Sequence, residues 1–199
     1  MGFSSFLDII GSTIIGGILL IIIFRLNDAA AESTYNNSGE LISQENIAAV
    51  VEVLETDFRK IGFCKDWQKI PIPSQAILSA DSNKIKFLTD IDSDGNVDTI
   101  LYYTGSTDEA LNTPNPKDKY LYRIVNGQQP VKVNLGVTEF NLIYFDAFQD
   151  TLSFPIAVPG AINSMQINIS VENVDAYDSR YNSVFWKQIR LATQNLKNR

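Results

Sequence analysis

The chain has 199 residues, with 23 acidic against 16 basic side chains and a formal net charge of −7. It contains no histidine and a single cysteine, Cys64. These counts exclude an intrachain disulfide, Ser-His-Asp or Cys-His catalysis and His-ligated zinc, and the acidic balance opposes nucleic-acid binding through phosphates.

The first element is apolar. Ile9 to Phe24 reads IIGSTIIGGILLIIIF, without charge between Asp8 and Arg25. About sixteen residues rising 1.5 Å each cover roughly 24 Å. With Phe6 and Leu7 the segment approaches the ~30 Å hydrocarbon thickness of a bilayer. A single-pass membrane helix is expected. A cleaved export signal is the weaker alternative: Met1 to Asp8 lacks the basic n-region, although Ala29-Ala30-Ala31 offers a small-residue cleavage site. A core helix is disfavoured because the segment is apolar on nearly every side. Arg25 on the C-terminal side weakly opposes export of that side.

Leu26 to Glu40 is small and polar, and Asn36-Asn37-Ser38-Gly39 reads as a helix break or loosened turn. Next comes an amphipathic helix. Ile47, Val50, Val51, Leu54, Phe58 and Ile61 recur at three- and four-residue steps on one face. Glu45, Glu52, Glu55, Asp57 and Arg59 fall largely off it. Gly62 supplies the stop. Cys64, between aromatic neighbours, is expected to be a buried structural thiol, and Trp67 is expected to pack over the helix end.

Short β-type runs then follow one another. Strands are expected at Lys84–Leu88, Thr99–Tyr103, Tyr120–Val125, Glu139–Phe145, Met165–Val171 and Val184–Ala192, the last one carrying Trp186. Met165, Ile167, Ile169 and Val171 alternate with polar residues, as in a half-buried strand. Asn126-Gly127 signals a hairpin. No helical pattern separates the runs, so a meander is favoured over βαβ units. Leu111 to Asp118 reads as a loop, and Asn195 to Arg199 as a basic exposed tail. The tyrosines of these strands read mainly as packing; a ligand platform or subunit interface is the lesser alternative.

The sharpest local motif is Asp90-Ile91-Asp92-Ser93-Asp94-Gly95-Asn96-Val97-Asp98. Alternating Asp followed by Gly resembles the start of a calcium loop. An EF-hand is disfavoured, because Leu101 stands where its closing Glu would be. Two readings stay open. Calcium is held by Asp90, Asp92, Asp94 and Asp98 with the Asn96 carbonyl, or the residues form an ion-free hairpin turn. No phosphate-binding loop occurs and no carboxylate pair stands out, so no enzymatic activity is expected.

Together these residues resemble a family. An apolar N-terminal helix, an amphipathic helix and an antiparallel sheet follow one another in type IV pilins and type II secretion pseudopilins. Asp57-Phe58-Arg59-Lys60-Ile61-Gly62-Phe63 resembles the end of their long helix, and Phe87 to Tyr103 resembles their strand, Asp/Gly-rich turn, strand unit. Tyr120 to Gly127, Gly136 to Asp146 and Gln188 to Leu196 resemble later segments of the larger minor pilins. Gly2-Phe3 resembles their processing point. Cleavage there would place Asp8 sixth, beside the fifth-position Glu of the family.

The resemblance implies a prepilin peptidase acting at Gly2-Phe3, and assembly with other pilin-like subunits through the N-terminal helix after residence in the inner membrane. Asp8 would set the register, and Gly11, Gly16 and Gly17 would permit close helix approach. The expected fold is α+β, with an apolar helix and an amphipathic helix packed on an antiparallel sheet. The expected segments are 1–28 (membrane and assembly helix), 29–62 (polar segment and amphipathic helix) and 63–199 (β domain). The expected function is that of a non-enzymatic minor pilin or pseudopilin, with no nucleic-acid partner. Two alternatives are kept: a single-pass anchored extracytoplasmic binding domain, calcium-dependent and unpolymerised, and an anchored hydrolase using carboxylates.

Overall fold

The computed structural model describes residues 2–174, 181 and 183–192. One helix, α1 (Gly2–Arg59), runs unbroken for 58 residues, about 87 Å at 1.5 Å per residue. The break expected at Asn36 to Gly39 does not occur. Gly39 instead serves close packing: a Cβ there would collide with the Asn173 side chain. A helical glycine costs ~1 kcal/mol relative to alanine, and here the vacated space is filled from the domain.

The two halves of α1 obey different solvents. Ahead of Gly39 no described residue is buried, and the apolar side chains from Phe3 to Leu26 are all exposed. From Ser43 onward one face closes on the domain through Ile47, Val50, Leu54 and Phe58, and Ile61 continues it past the helix end. Each such side chain, fully buried, contributes roughly 1.5–3 kcal/mol. The helix stops as the sequence indicated. Gly62 takes φ +74° and its N–H donates to the Leu88 carbonyl at 2.9 Å, tying the stop to the sheet.

Seven strands follow in a single antiparallel meander: β1 (Ile77–Ala80), β2 (Lys84–Thr89), β3 (Asp98–Thr104), β4 (Lys119–Val125), β5 (Val131–Phe145), β6 (Ser164–Glu172) and β7 (Ser183–Ala192). Spatial order equals chain order, as short connections require. β1 and the first half of β5 were missed by the sequence reading. The latter carries its own alternation, Val131, Val133, Leu135 and Val137.

β5 is long because it serves two sheet halves. Residues 131–137 pair with β4 and residues 137–145 with β6. The register shifts on both sides of this junction, where Gly136 adopts φ +86° and a Cβ would sit 2.9 Å from the Glu172 carbonyl. Beyond the first residue of β4, the β1–β2 turn takes over the edge of β5: the Leu142 N–H donates to the Ser82 carbonyl at 2.7 Å.

The core lies between α1 and one sheet face. Ile85, Phe87, Ile100, Tyr102, Leu121, Leu142, Tyr144, Met165, Ile167 and Ile169 are fully buried. Phe58 meets Phe87 and Tyr102 with ring centroids at 5.5 Å in each case. Cys64 is a buried free thiol, as expected. Trp67 is 59% exposed and does not cover the helix end; Trp186 packs against the core. The tail Asn195 to Arg199 lies outside the described residues.

Candidate functional site

The acidic turn joins β2 to β3 and is built from backbone donors. Asp90 is buried. Its Oδ2 accepts from the N–H groups of Lys65 at 3.0 Å and Gly95 at 2.9 Å, and its Oδ1 from that of Asp94 at 3.1 Å. Burial pushes the Asp90 carboxyl up, but the N–H groups of Lys65, Gly95, Asp94 and Ser93 outweigh it and hold the pKa below the ordinary value. Asp90 therefore fixes the turn to the segment after α1. The Cys64 thiol stands 3.9 Å from Asp90 Oδ2, and burial raises its pKa, so it is not poised as a thiolate nucleophile.

Asp94 and Asn96 turn toward each other. Asp94 Oδ1 accepts from the Asn96 N–H at 2.6 Å and its Oδ2 from the Asn96 side-chain amide at 2.8 Å. These bonds lower the Asp94 pKa. Lys69 Nζ donates to Asn96 Oδ1 at 2.8 Å. The remaining carboxylates converge: one oxygen each of Asp90, Asp92 and Asp98 lies within 4.8 Å of the others. So of five candidate ligands the fold gathers three. Three hard oxygen donors fit a calcium-type cation in kind and fall short of its usual six to eight ligands, leaving the balance to backbone carbonyls and water.

The sequence reading missed the residues that hold this turn. Asn126, from the hairpin after β4, donates its side-chain amide to Asp98 Oδ1 at 2.7 Å, and its Oδ1 accepts from the Thr99 N–H at 2.8 Å. Lys60 Nζ donates to the Ile91 carbonyl. Asn126 and Gly127 take φ of 52° and 69°, so the hairpin signal was sound, but nothing local in it indicated contact with Asp98.

A second polar cluster joins helix to sheet. The helical period puts Asp57 largely off the apolar face. It is three residues after Leu54 and four before Ile61, at the margin of that face, and it is buried. Its Oδ2 accepts from Arg123 Nε and from the Tyr102 hydroxyl, both at 2.6 Å. Burial and the Asp57 charge push the Tyr102 pKa far up. Burial pushes the Arg123 guanidinium down, and its bonds to Asp57 and Tyr102 more than restore it.

The third feature is the bare half of α1, a helix long and apolar enough to cross a membrane. Its hydroxyls are satisfied within the helix: Ser12 donates to the Asp8 carbonyl at 2.7 Å and Thr13 to that of Ile9 at 2.8 Å, as hydrocarbon surroundings demand. Asp8 is exposed. At 100° per residue, Asp8, Ser12 and Gly16 share one side with about 40° of drift per step. Gly11 and Gly17 fall elsewhere around the axis, so the glycines form no single contact stripe. Nothing lies within 4 Å of a Cβ built at Gly11, Gly16 or Gly17. Gly2 and Phe3 lie in the exposed first turn.

A bare apolar helix that continues into a buried helix backed by an antiparallel sheet is a pilin-like architecture. Compared with known protein families and with curated protein sequences, the chain matches none.

Proposed function

We propose that this chain is a non-enzymatic structural subunit of a type IV pilus-like filament or secretion pseudopilus, of the minor class. The observation that carries the reading is the continuity of α1. A single rigid rod presents apolar side chains to its surroundings over Phe3–Leu26 and is nailed to the sheet at its far end by Leu54, Phe58 and the Asp57–Arg123 pair. Lipid covers such a rod in a membrane, and like helices cover it in a filament.

The domain stands on the extracytoplasmic side of the inner membrane before assembly. Asp8, the sole charge ahead of Arg25, pairs with a cationic group of a neighbouring subunit, because an unpaired charge in that setting is costly. Peptidase processing at Gly2-Phe3 belongs to the same reading, as does calcium at Asp90, Asp92 and Asp98.

Single-cysteine variants Leu19→Cys and Ile23→Cys, made in a Cys64→Ala background, test it by oxidation in native membranes and shed material. Disulfide-linked dimers, lost in Asp8→Ala, are expected. Monomers throughout would reject the subunit reading in favour of a single-pass anchored binding domain.

A further inference from the structure

The sheet face turned away from α1 carries an ordered row that packing does not require. Register pairs Lys84 with Tyr103 and Tyr103 with Tyr122, and Tyr122 with Lys132. The row therefore reads Lys-Tyr-Tyr-Lys across β2, β3, β4 and β5, about 14 Å from end to end at ~4.8 Å per strand. Both lysines are exposed and both tyrosines half-buried. The Tyr103 and Tyr122 rings stack at 5.0 Å. Tyr120, also on this face, holds Lys132 Nζ 3.6 Å above its ring. Next to the row, Lys86 lines a shallow depression of about 430 Å³ floored by Leu101 and Ile124. On a molecule of net charge −7, this face sets cations beside half-exposed aromatics.

Charge complementarity selects an anionic, extended ligand. Single-stranded nucleic acid fits poorly. Tyr103 and Tyr122 spend ring faces on each other and Lys132 covers Tyr120, which leaves no series of open faces for bases. Exposed Glu109, accepting from the Tyr122 hydroxyl at 2.5 Å, is an acceptor that the hydroxyls of a sugar chain can meet and a DNA strand, without free sugar hydroxyls along its length, cannot. A chain of sugar rings bearing spaced carboxylates fits better: its hydroxyls donate to Glu109, its carboxylates meet Lys84 and Lys132, and its apolar ring edges lie against tyrosine. We propose that the outer face of β2–β5 binds an acidic, uronate-type polysaccharide. This surface is separate from α1 and is independent of whether the chain polymerises.

The test is a binding titration of the full chain in non-ionic detergent with polygalacturonate, against dextran and oligo-dT. Binding to polygalacturonate, absent with dextran and weakened by salt, is expected. Lys84→Met/Lys132→Met should weaken it at least tenfold. Arg59→Met/Lys65→Met, with the same change in net charge, should leave it unchanged. Tyr103→Leu keeps apolar bulk and should weaken binding with an unaltered circular dichroism spectrum. No binding to polygalacturonate, equal loss in both double variants, or tighter binding to oligo-dT would overturn the proposal, the last in favour of nucleic acid.

Discussion

Asp57 shows how a charge on the margin of an apolar helix face becomes a register pin. Its carboxylate meets Arg123 and Tyr102 at 2.6 Å, and its side chain is 5% exposed against 22% for Arg123. Such a pair adds little net stability over an apolar replacement, yet removing one partner strands the other charge. Arg123→Met should therefore lower the unfolding free energy by about 3 kcal/mol, the low end for a buried pair because Arg123 is partly exposed. The double variant Asp57→Leu/Arg123→Met should recover most of that, as urea titration followed by tyrosine fluorescence would show. A double loss equal to the sum of the singles would mean that the pair carries no coupling.

Asp90 makes the complementary case, a carboxylate held ionised by backbone N–H groups. Its folded pKa lies below the ordinary value, and the unfolded value is near ~3.9. The stabilisation it brings is therefore present above the unfolded value and lost as pH falls through the folded one. The thermal midpoint of the native chain should fall steeply on acidification below about pH 4. Asp90→Asn should be less stable at neutral pH and flatter through that window. If calcium occupies the convergence of Asp90, Asp92 and Asp98, the ion at a hundredfold excess over its dissociation constant adds about 2.7 kcal/mol. Asp92→Asn, whose side chain lies at the exposed rim, should lose that calcium-induced rise in midpoint without losing the fold.

At the scale of elements, β5 depends on one backbone conformation. Gly136 combines φ +86° with a carbonyl 2.9 Å from any added Cβ. Gly136→Ala should thus cost about 2 kcal/mol and should loosen the junction between the two sheet halves, visible as faster amide exchange in residues 131–137. Wild-type exchange there would show that the chain adapts locally. Much of this architecture was legible. The 3.6-residue period placed Ile47, Val50, Leu54 and Phe58 on one buried face, and the alternation of Met165, Ile167, Ile169 and Val171 marked a strand whose four apolar side chains are fully buried. Legibility failed where the deciding partner is distant in sequence. Gly39 reads as a breaker because Asn173, which fills its space, is invisible to a local window. Asp57 reads as a solvated charge because Arg123 lies 66 residues away. In the acidic turn the residue types were evident, but alternation alone could not tell that Asp94 turns to Asn96 while Asp98 is held by Asn126.

Across the whole molecule, α1 separates two energetic tasks along a single rod. No described residue ahead of Gly39 is buried, so the apolar segment contributes nothing to the core, and its exposure is tolerable only where lipid or other apolar helices replace water. A chain shortened to residues 29–199 should remain monomeric in aqueous buffer without detergent. Its unfolding free energy should lie within ~0.5 kcal/mol of that of the full chain in micelles, the scatter typical of changes remote from a core. The same truncation should abolish association with membranes, as sedimentation with vesicles would report. A truncated chain that failed to fold would instead assign the apolar segment a share of the core. A truncated chain that still bound vesicles would move the membrane contact to the exposed apolar side chains Phe148, Phe154 and Val158, in the loops between β5 and β6. The contrast matters because a rod that merely anchors and a rod that assembles look alike in one chain. Under the proposed subunit reading the two differ at Asp8, which borders the uncharged stretch Ile9–Phe24: in an assembly a cationic group of a neighbouring subunit would pair with it, whereas a lone span would leave it at the membrane interface.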